Sequence, residues 1–356
     1  MCARGRCALR PATREVRPGG LLNDLLPNLV ALVLLAAITA YSTAGGADFG
    51  AGIWDLLAGN GGRGPEARRL IDHAMAPVWE VNNVWLVFAI VLCWTGFPPL
   101  FYATFDRLYP LFALALIGLV LRGAFFAFRH IADNPRTHRT ADLVFGLSSV
   151  LTPFFFAASL GAIASGRVAS GSVLEASFSP MSISFGLVSV AATAFTGASF
   201  LVGDARRYGA PELVDYFRQR TAAAALVLIV IGTVALVVIG FQAPALFRSM
   251  LAGPGLPFAV TTMVLTPLVA FLLWRGIFRW YRVLTVAAVG SLVLAWGFGQ
   301  APYLLPGRLT IAQATAPEST QVALLAVTFV LVIVVVPSMA LLYYLDQRGA
   351  LGPTEA

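Results

Sequence analysis

Nine stretches of about 20 mostly apolar residues follow one another along the chain, near 24–44, 82–104, 108–128, 143–165, 181–203, 222–241, 257–276, 280–300 and 321–345. Each is long enough to cross the roughly 30 Å of hydrocarbon in a bilayer. In that medium every backbone amide must find its partner within its own helix or within a closed barrel. Runs this long and continuously apolar suit helices rather than barrel strands. The sequence therefore predicts an all-α fold, a polytopic membrane helical bundle of about nine transmembrane helices, arranged as two four-helix units plus one peripheral helix. Little mass is left outside the membrane, because the polar connections are short.

Composition agrees. Of 356 residues, 58% are hydrophobic and 12% charged, far from the balance of a soluble domain. All 24 basic residues are Arg, against 17 acids. In a chain of spans this excess reads as topology rather than as nucleic-acid binding. The connections after spans one, three, five and seven, together with the span ends beside them, hold fourteen Arg, from Arg63 to Arg282, and those after the even spans hold four, Arg107, Arg167, Arg248 and Arg308. Positive charge stays on the cytoplasmic side, so the amino terminus is expected outside and the carboxyl terminus in the cytoplasm. Residues 1–22 form a polar, Arg-rich leader without the apolar core of a signal peptide and are expected to be disordered. The membrane domain is placed at 23–346 and a short tail at 347–356.

The three cysteines, Cys2, Cys7 and Cys93, make no CxxC pair and predict neither a zinc site nor a disulfide framework. The three histidines, His73, His130 and His138, lack a second ligand at useful spacing, so no metal or haem site is expected in this chain.

Two stretches carry polar groups where a span should be apolar. In "STAGGADFGAGIWDLLAG", Gly46 and Gly50 make a GxxxG step with small neighbours, which lets another helix approach closely. If the first helix runs on through this stretch, Asp48 and Asp55 are seven residues apart on roughly one face. If it stops near Ala44, both lie in an interfacial turn. In "APVWEVNNVWL", Pro77 suits a first helical turn, and Glu80 benefits there from the positive helix end. Trp79, Asn82 and Asn83 sit at i, i+3 and i+4, and Glu80 and Asn83 at i and i+3, so carboxylate and amides can share one hydrogen-bonded path. Ionisable groups at membrane depth cost at least about 2.5–3.5 kcal/mol and tend to mark ion or proton routes. The third span ends "LRGAFFAFRH"; Arg122 is the candidate buried partner of a carboxylate, and Arg129 is expected as an interfacial anchor.

Taken in order, these stretches resemble the second subunit of the cytochrome bd terminal oxidases. "AGGADFGAG" is similar to the family's "DGFDLGVG", "APVWEVNNVWL" to "APxWDGNxVWL", "LRGAFFAFR" to "LRGVAFEFR", and "LTIAQATAPESTQ" to "LTIWDAASSPxTL". The "FGLVSVAATAFTGASFL" run also resembles a family helix. The resemblance implies a haem-free subunit packed beside a haem-bearing subunit I, which carries haem b and haem d and oxidises quinol. It also implies that subunit II contributes carboxylates to proton delivery. By motif position the proton-pathway candidates are Asp48, Glu80, Asn82 and Asn83, supported by Trp79, Trp85, Arg122 and Arg129. A structural quinone or lipid against this subunit is left open. Three family acids are absent: the first of "DGFD" falls in the "AGG" run, and the others are Ala127 and Gln313.

From the residues alone a secondary transporter remains an alternative, with Asp48 and Glu80 as an ion-coupled site and the glycine-rich half of span one as a broken helix. A purely structural role for the polar groups is the other.

Overall fold

A computed structural model of the chain describes residues 21–347 apart from 60, 76–78, 132–133 and 170–171. The leader before residue 21 and the end of the tail lie outside the described residues, as does Pro77.

The fold is all-helical and polytopic. Long helices are α1 (Leu21–Leu57), α4 (Pro98–Ile131), α5 (Pro135–Ala164), α7 (Pro180–Arg207), α8 (Pro211–Gln242), α10 (Leu256–Trp274), α11 (Tyr281–Gln300) and α13 (Glu318–Gln347). Shorter ones are α2 (Gly64–Met75), α3 (Trp79–Gly96), α6 (Val173–Ser177), α9 (Pro244–Ala252) and α12 (Ile311–Ala314). A small antiparallel hairpin, β1 (Tyr303–Leu305) with β2 (Leu309–Thr310), joins α11 to α12. Among the described residues eight helices are long and apolar enough to cross a membrane, and Asn82–Gly96 is a shorter apolar helix.

The difference from nine equal spans has a local cause. The apolar run expected at 82–104 contains "GFPP", and prolines cannot continue a helix but readily start one. Helix α3 therefore ends at Gly96, and Pro98 opens α4. Helix α4 then absorbs the rest and bends at Leu108 (φ −109°, ψ 17°), two residues before Pro110. Proline at the first turn recurs in α5, α7, α8, α9 and α10, so the chain marks many of its helix starts the same way.

Helix α1 does not stop at Ala44. It is continuous to Leu57, which removes the interfacial-turn reading of Asp48 and Asp55 as well as the broken helix that a transporter would need. It packs against α3 and α5 from the first half of the chain and α7 and α11 from the second. Its closest neighbour is α7. A Cβ at Gly50 would fall 2.2 Å from the Thr193 carbonyl oxygen, and one at Gly197 would fall 2.4 Å from the Gly50 carbonyl carbon. The two backbones touch, as the GxxxG step predicts. One turn on, the Trp54 Nε1–H donates to the Ala194 carbonyl at 2.8 Å. Trp54→Phe keeps the ring and loses that bond, and is expected to lower stability by about 1 kcal/mol. Thermal unfolding in detergent reads this, and an unchanged midpoint would mean that the indole bond does not hold α1 to α7.

The four basic connections gather at one end of the bundle. Arg63, between α1 and α2, pairs with Glu212 at the start of α8 (3.3 Å). Arg218 of α8 donates to the last carbonyls of α10, Leu273 (2.7 Å) and Trp274 (2.6 Å), groups a helix end leaves without partners of its own. Arg282 of α11 pairs with Asp204 of α7 (2.6 Å).

Candidate functional site

Two acids on α1 meet two arginines on α4. Asp48 and Asp55 are seven residues apart, as are Arg122 and Arg129, so on each helix both groups project from nearly the same side. The result is a ladder of two buried ion pairs, one deep in the bundle and one nearer the end where the Arg-rich connections lie.

In the deep pair, Arg122 is wholly buried and Asp48 is 4% exposed. Arg122 Nη2 donates to Asp48 Oδ1 at 2.6 Å and to the Asp48 carbonyl at 3.1 Å. Its Nη1 donates to the Ser149 hydroxyl. The guanidinium lies over the rings of Phe49 (4.8 Å) and Phe145 (4.6 Å). Charge-assisted hydrogen bonds and two aromatic faces offset the cost of taking both charges out of water. Gly52 makes room for them, since a Cβ there would sit 2.2 Å from Ser149 Oγ and 2.9 Å from Arg122 Nη1.

The outer pair is the centre of a wider network. Arg129 Nη1 lies 3.2 Å from Asp55 Oδ2, its Nη2 donates to Asp72 of α2, and its Nε lies 3.7 Å from Asp142 of α5. Arg68 reaches the other oxygen of Asp55 at 3.7 Å, and His138 Nδ1 lies 3.2 Å from Asp142 Oδ2. Arg129 is 5% exposed, so it is a buried centre and not the expected interfacial anchor. Three carboxylates from three helices drew it inward. Asp72 and Asp142 were not singled out from sequence, because each sits in a short polar connection whose spacing carries no signature; only the tertiary fold brings them together.

The α3 candidates are placed less closely together. Trp79 and Glu80 fall in the first turn of α3, with side chains outside the described residues. Asn82 is 1% exposed, and among the described residues neither its Nδ2 nor its Oδ1 has a hydrogen-bond partner. It lies against Gly45, where a Cβ would be 2.8 Å from Nδ2. Gly45 stands three residues before Asp48, the position of the first family acid. The Asn82 amide fills the room a side chain there would take. Asn83 is half-buried, and Trp85, also half-buried, meets Phe88 edge-on at 6.5 Å.

The other two departures are benign in local terms. Ala127 is exposed on α4, outside the ladder. Gln313 still does a capping residue's work: Thr310 Oγ1 accepts from the Gln313 amide, and Gln313 Oε1 accepts from that of Thr310, a capping box in which Gln serves as well as an acid. A cavity of about 640 Å³ also runs beside α1, lined by groups including Leu35, Ile38, Tyr41, Phe105, Phe156 and Trp296. The Tyr41 hydroxyl is buried there without a partner among the described residues. Among the described residues no three His, Cys, Asp or Glu side chains converge as a metal site; His73 Nδ1 lies 3.1 Å from the Arg69 carbonyl, and His138 is engaged by Asp142.

Comparison with known proteins points one way. A family model described as cytochrome bd terminal oxidase subunit II matches residues 26–346. The chain is 28% identical over 109 residues to cytochrome bd ubiquinol oxidase subunit 2 of Bacillus subtilis (strain 168), covering 31% of each chain. It is 24% identical over 135 residues to cytochrome bd-I ubiquinol oxidase subunit 2 of Escherichia coli (strain K12), covering 38% of this chain and 35% of that one. The matched stretches thus span about a third of these relatives' length. Among solved structures, a chain of the bd oxidase from Geobacillus thermodenitrificans has the same fold, with a TM-score of 0.71, 24% identity, and coverage of 90% of this chain and 98% of that one.

Proposed function

Because the chain belongs to the cytochrome bd terminal oxidase subunit II family, we propose that it is the haem-free subunit of a quinol:oxygen oxidoreductase in a bacterial plasma membrane. It packs beside a haem-bearing subunit I as a heterodimer and carries protons toward the site of oxygen reduction. Haem b and haem d, held by that partner, supply electron transfer from quinol and the reduction of oxygen to water. That reaction consumes protons as well as electrons, and this chain's task is to hold and pass them.

The observation that carries the reading is the ladder of acids on α1. Arginine does not deprotonate in proteins, so any proton exchanged at either rung is exchanged by the carboxylate. The outer rung, with Asp55, Asp72, Asp142 and His138 around Arg129, offers several exchangeable positions near the end of the bundle. The inner rung sets Asp48 two turns deeper. Asn82 lies against Gly45, one turn before Asp48, with both amide atoms free of protein partners among the described residues. A buried amide of this kind is typically satisfied by water, and its contact with Gly45 brings α3 beside the Asp48 rung. The Arg-rich end is assigned to the cytoplasm on the charge rule, which sets proton uptake on that side. The cavity beside Tyr41 supports the reading that a structural quinone or lipid is held against this subunit.

Glu80→Gln tests the route, because it keeps the shape and cannot ionise. Quinol-driven oxygen uptake of the purified complex is expected to fall about tenfold or more, on the scale of losing a positioned proton-transfer group, while the haem content stays that of the wild type. Unchanged uptake across pH would remove Glu80 from the route and leave the subunit assignment standing.

A further inference from the structure

A second cluster of arginines lies apart from the ladder, where α7 meets α8 and α10 meets α11. The segments hold Arg206, Arg207, Arg218, Arg220, Arg275, Arg279 and Arg282 against Asp204, Glu212 and Asp215. The three acids are already engaged, by Arg282, Arg63 and Arg218 respectively. Arg220 is turned onto the Tyr216 ring at 3.1 Å. Arg206, Arg275 and Arg279 remain exposed, and among the described residues no carboxylate pairs with any of them.

Each of the three is instead laid over an aromatic ring, Arg206 over Phe278 (4.0 Å), Arg275 over Phe271 (5.7 Å) and Arg279 over Trp280 (5.8 Å). Stacking holds a guanidinium by its face and leaves its N–H edge free to donate. Arg206 over Phe278 also ties the α7 end to the α10–α11 connection, so the three charges belong to one surface. Around them Trp274, Ile277 and Trp280 are 69%, 46% and 63% exposed. Trp280 adopts a left-handed backbone (φ 65°), a conformation uncommon for a bulky residue. These aromatic groups stand at the ends of two candidate spans, the level at which Trp and Tyr meet lipid headgroups.

We propose that this surface binds the headgroups of anionic phospholipids, with Arg206, Arg275 and Arg279 donating to the phosphate and Trp274, Ile277 and Trp280 seated among the upper acyl carbons. Charge complementarity selects the occupant. An uncompensated cluster of arginines immediately beyond span ends attracts anionic lipid, and the arginine fork matches phosphate geometry. An acidic protein face would satisfy the charge but would not explain why apolar side chains ring it at membrane level. The proposal concerns a different surface from the acid ladder and stands independently of the oxidase reading.

The test uses the full complex in nanodiscs of phosphatidylcholine mixed with phosphatidylglycerol, with retained lipid counted by native mass spectrometry. The wild type is expected to retain phosphatidylglycerol in preference to phosphatidylcholine. In the triple variant R206Q/R275Q/R279Q that preference should fall on the order of tenfold or more, and replacing the same three with Lys should restore most of it. R279Q alone, which leaves the Arg206–Phe278 contact between the helices in place, provides a milder variant should the triple one fail to assemble, and should show a smaller loss in the same direction. Equal preference in wild type and either Gln variant overturns the proposal. So does loss of a protein subunit from the triple variant with lipid preference unchanged, which would assign the surface to a protein partner.

Discussion

Asp48→Ala is expected to prevent accumulation of the assembled complex, because it leaves the wholly buried Arg122 without its counter-charge. Breaking one side of a buried pair costs about 3–5 kcal/mol, a large part of the stability of most folds. The companion variant separates charge from function. Asp48→Ala combined with Arg122→Met removes both charges, and a well-packed apolar replacement of a buried pair is often neutral in stability. The double variant should therefore recover much of the assembled complex, measured as chain retained with its partner after detergent extraction. Its oxygen uptake per haem then reports on the proton role alone. Low uptake is the expected result, and full uptake would reduce the Asp48–Arg122 pair to packing.

The second large effect is expected at the α1–α7 crossing. Gly50→Val would place a branched side chain where even a Cβ falls 2.2 Å from the Thr193 carbonyl and 2.7 Å from the Gly197 Cα. Both obstacles are backbone, so no side-chain rotation relieves the clash and the helices must separate. Overpacking usually costs about 1–3 kcal/mol and occasionally more; here the upper end is expected, with loss of the Trp54–Ala194 bond in the same movement. A thermal unfolding midpoint lowered by several degrees, or failure to assemble, is the predicted outcome. Gly232, around which an added Cβ meets nothing within 4 Å, serves as the control, and Gly232→Ala should behave as the wild type.

How much of this was legible in the sequence varies by element. The spans were legible because the bilayer imposes one length on all of them. The close approach at Gly46 and Gly50 was legible as a small-residue step, although the partner helix was not, since nothing in spacing names α7. The shared face of Asp48 and Asp55 followed from helical geometry once α1 was continuous, and Arg122 stood out because a span tolerates an arginine only with a partner. Other features needed the fold. Hydropathy carried the second span across "GFPP", where the backbone cannot follow. Arg129 looked interfacial because its three carboxylates come from α1, α2 and α5, and no local pattern joins them. The "GPEARRLIDHAM" stretch was read as connection, yet it forms α2 with Ala67, Leu70 and Ile71 buried, and that helix delivers Asp72 to Arg129. Gly45 illustrates the reverse case. Its lack of a side chain reads as a lost acid, and only the fold shows that the Asn82 amide from another helix lies against it.

The most direct test of the central claim is to purify this chain from its native membrane by a tag and record both the reduced-minus-oxidised spectrum and quinol-driven oxygen uptake. The expected result is a second multi-span polypeptide in equal amount, haem b and haem d bands that follow that polypeptide when the two are separated, and uptake only while they remain together. A colourless preparation that transports solute on its own in vesicles would contradict the account.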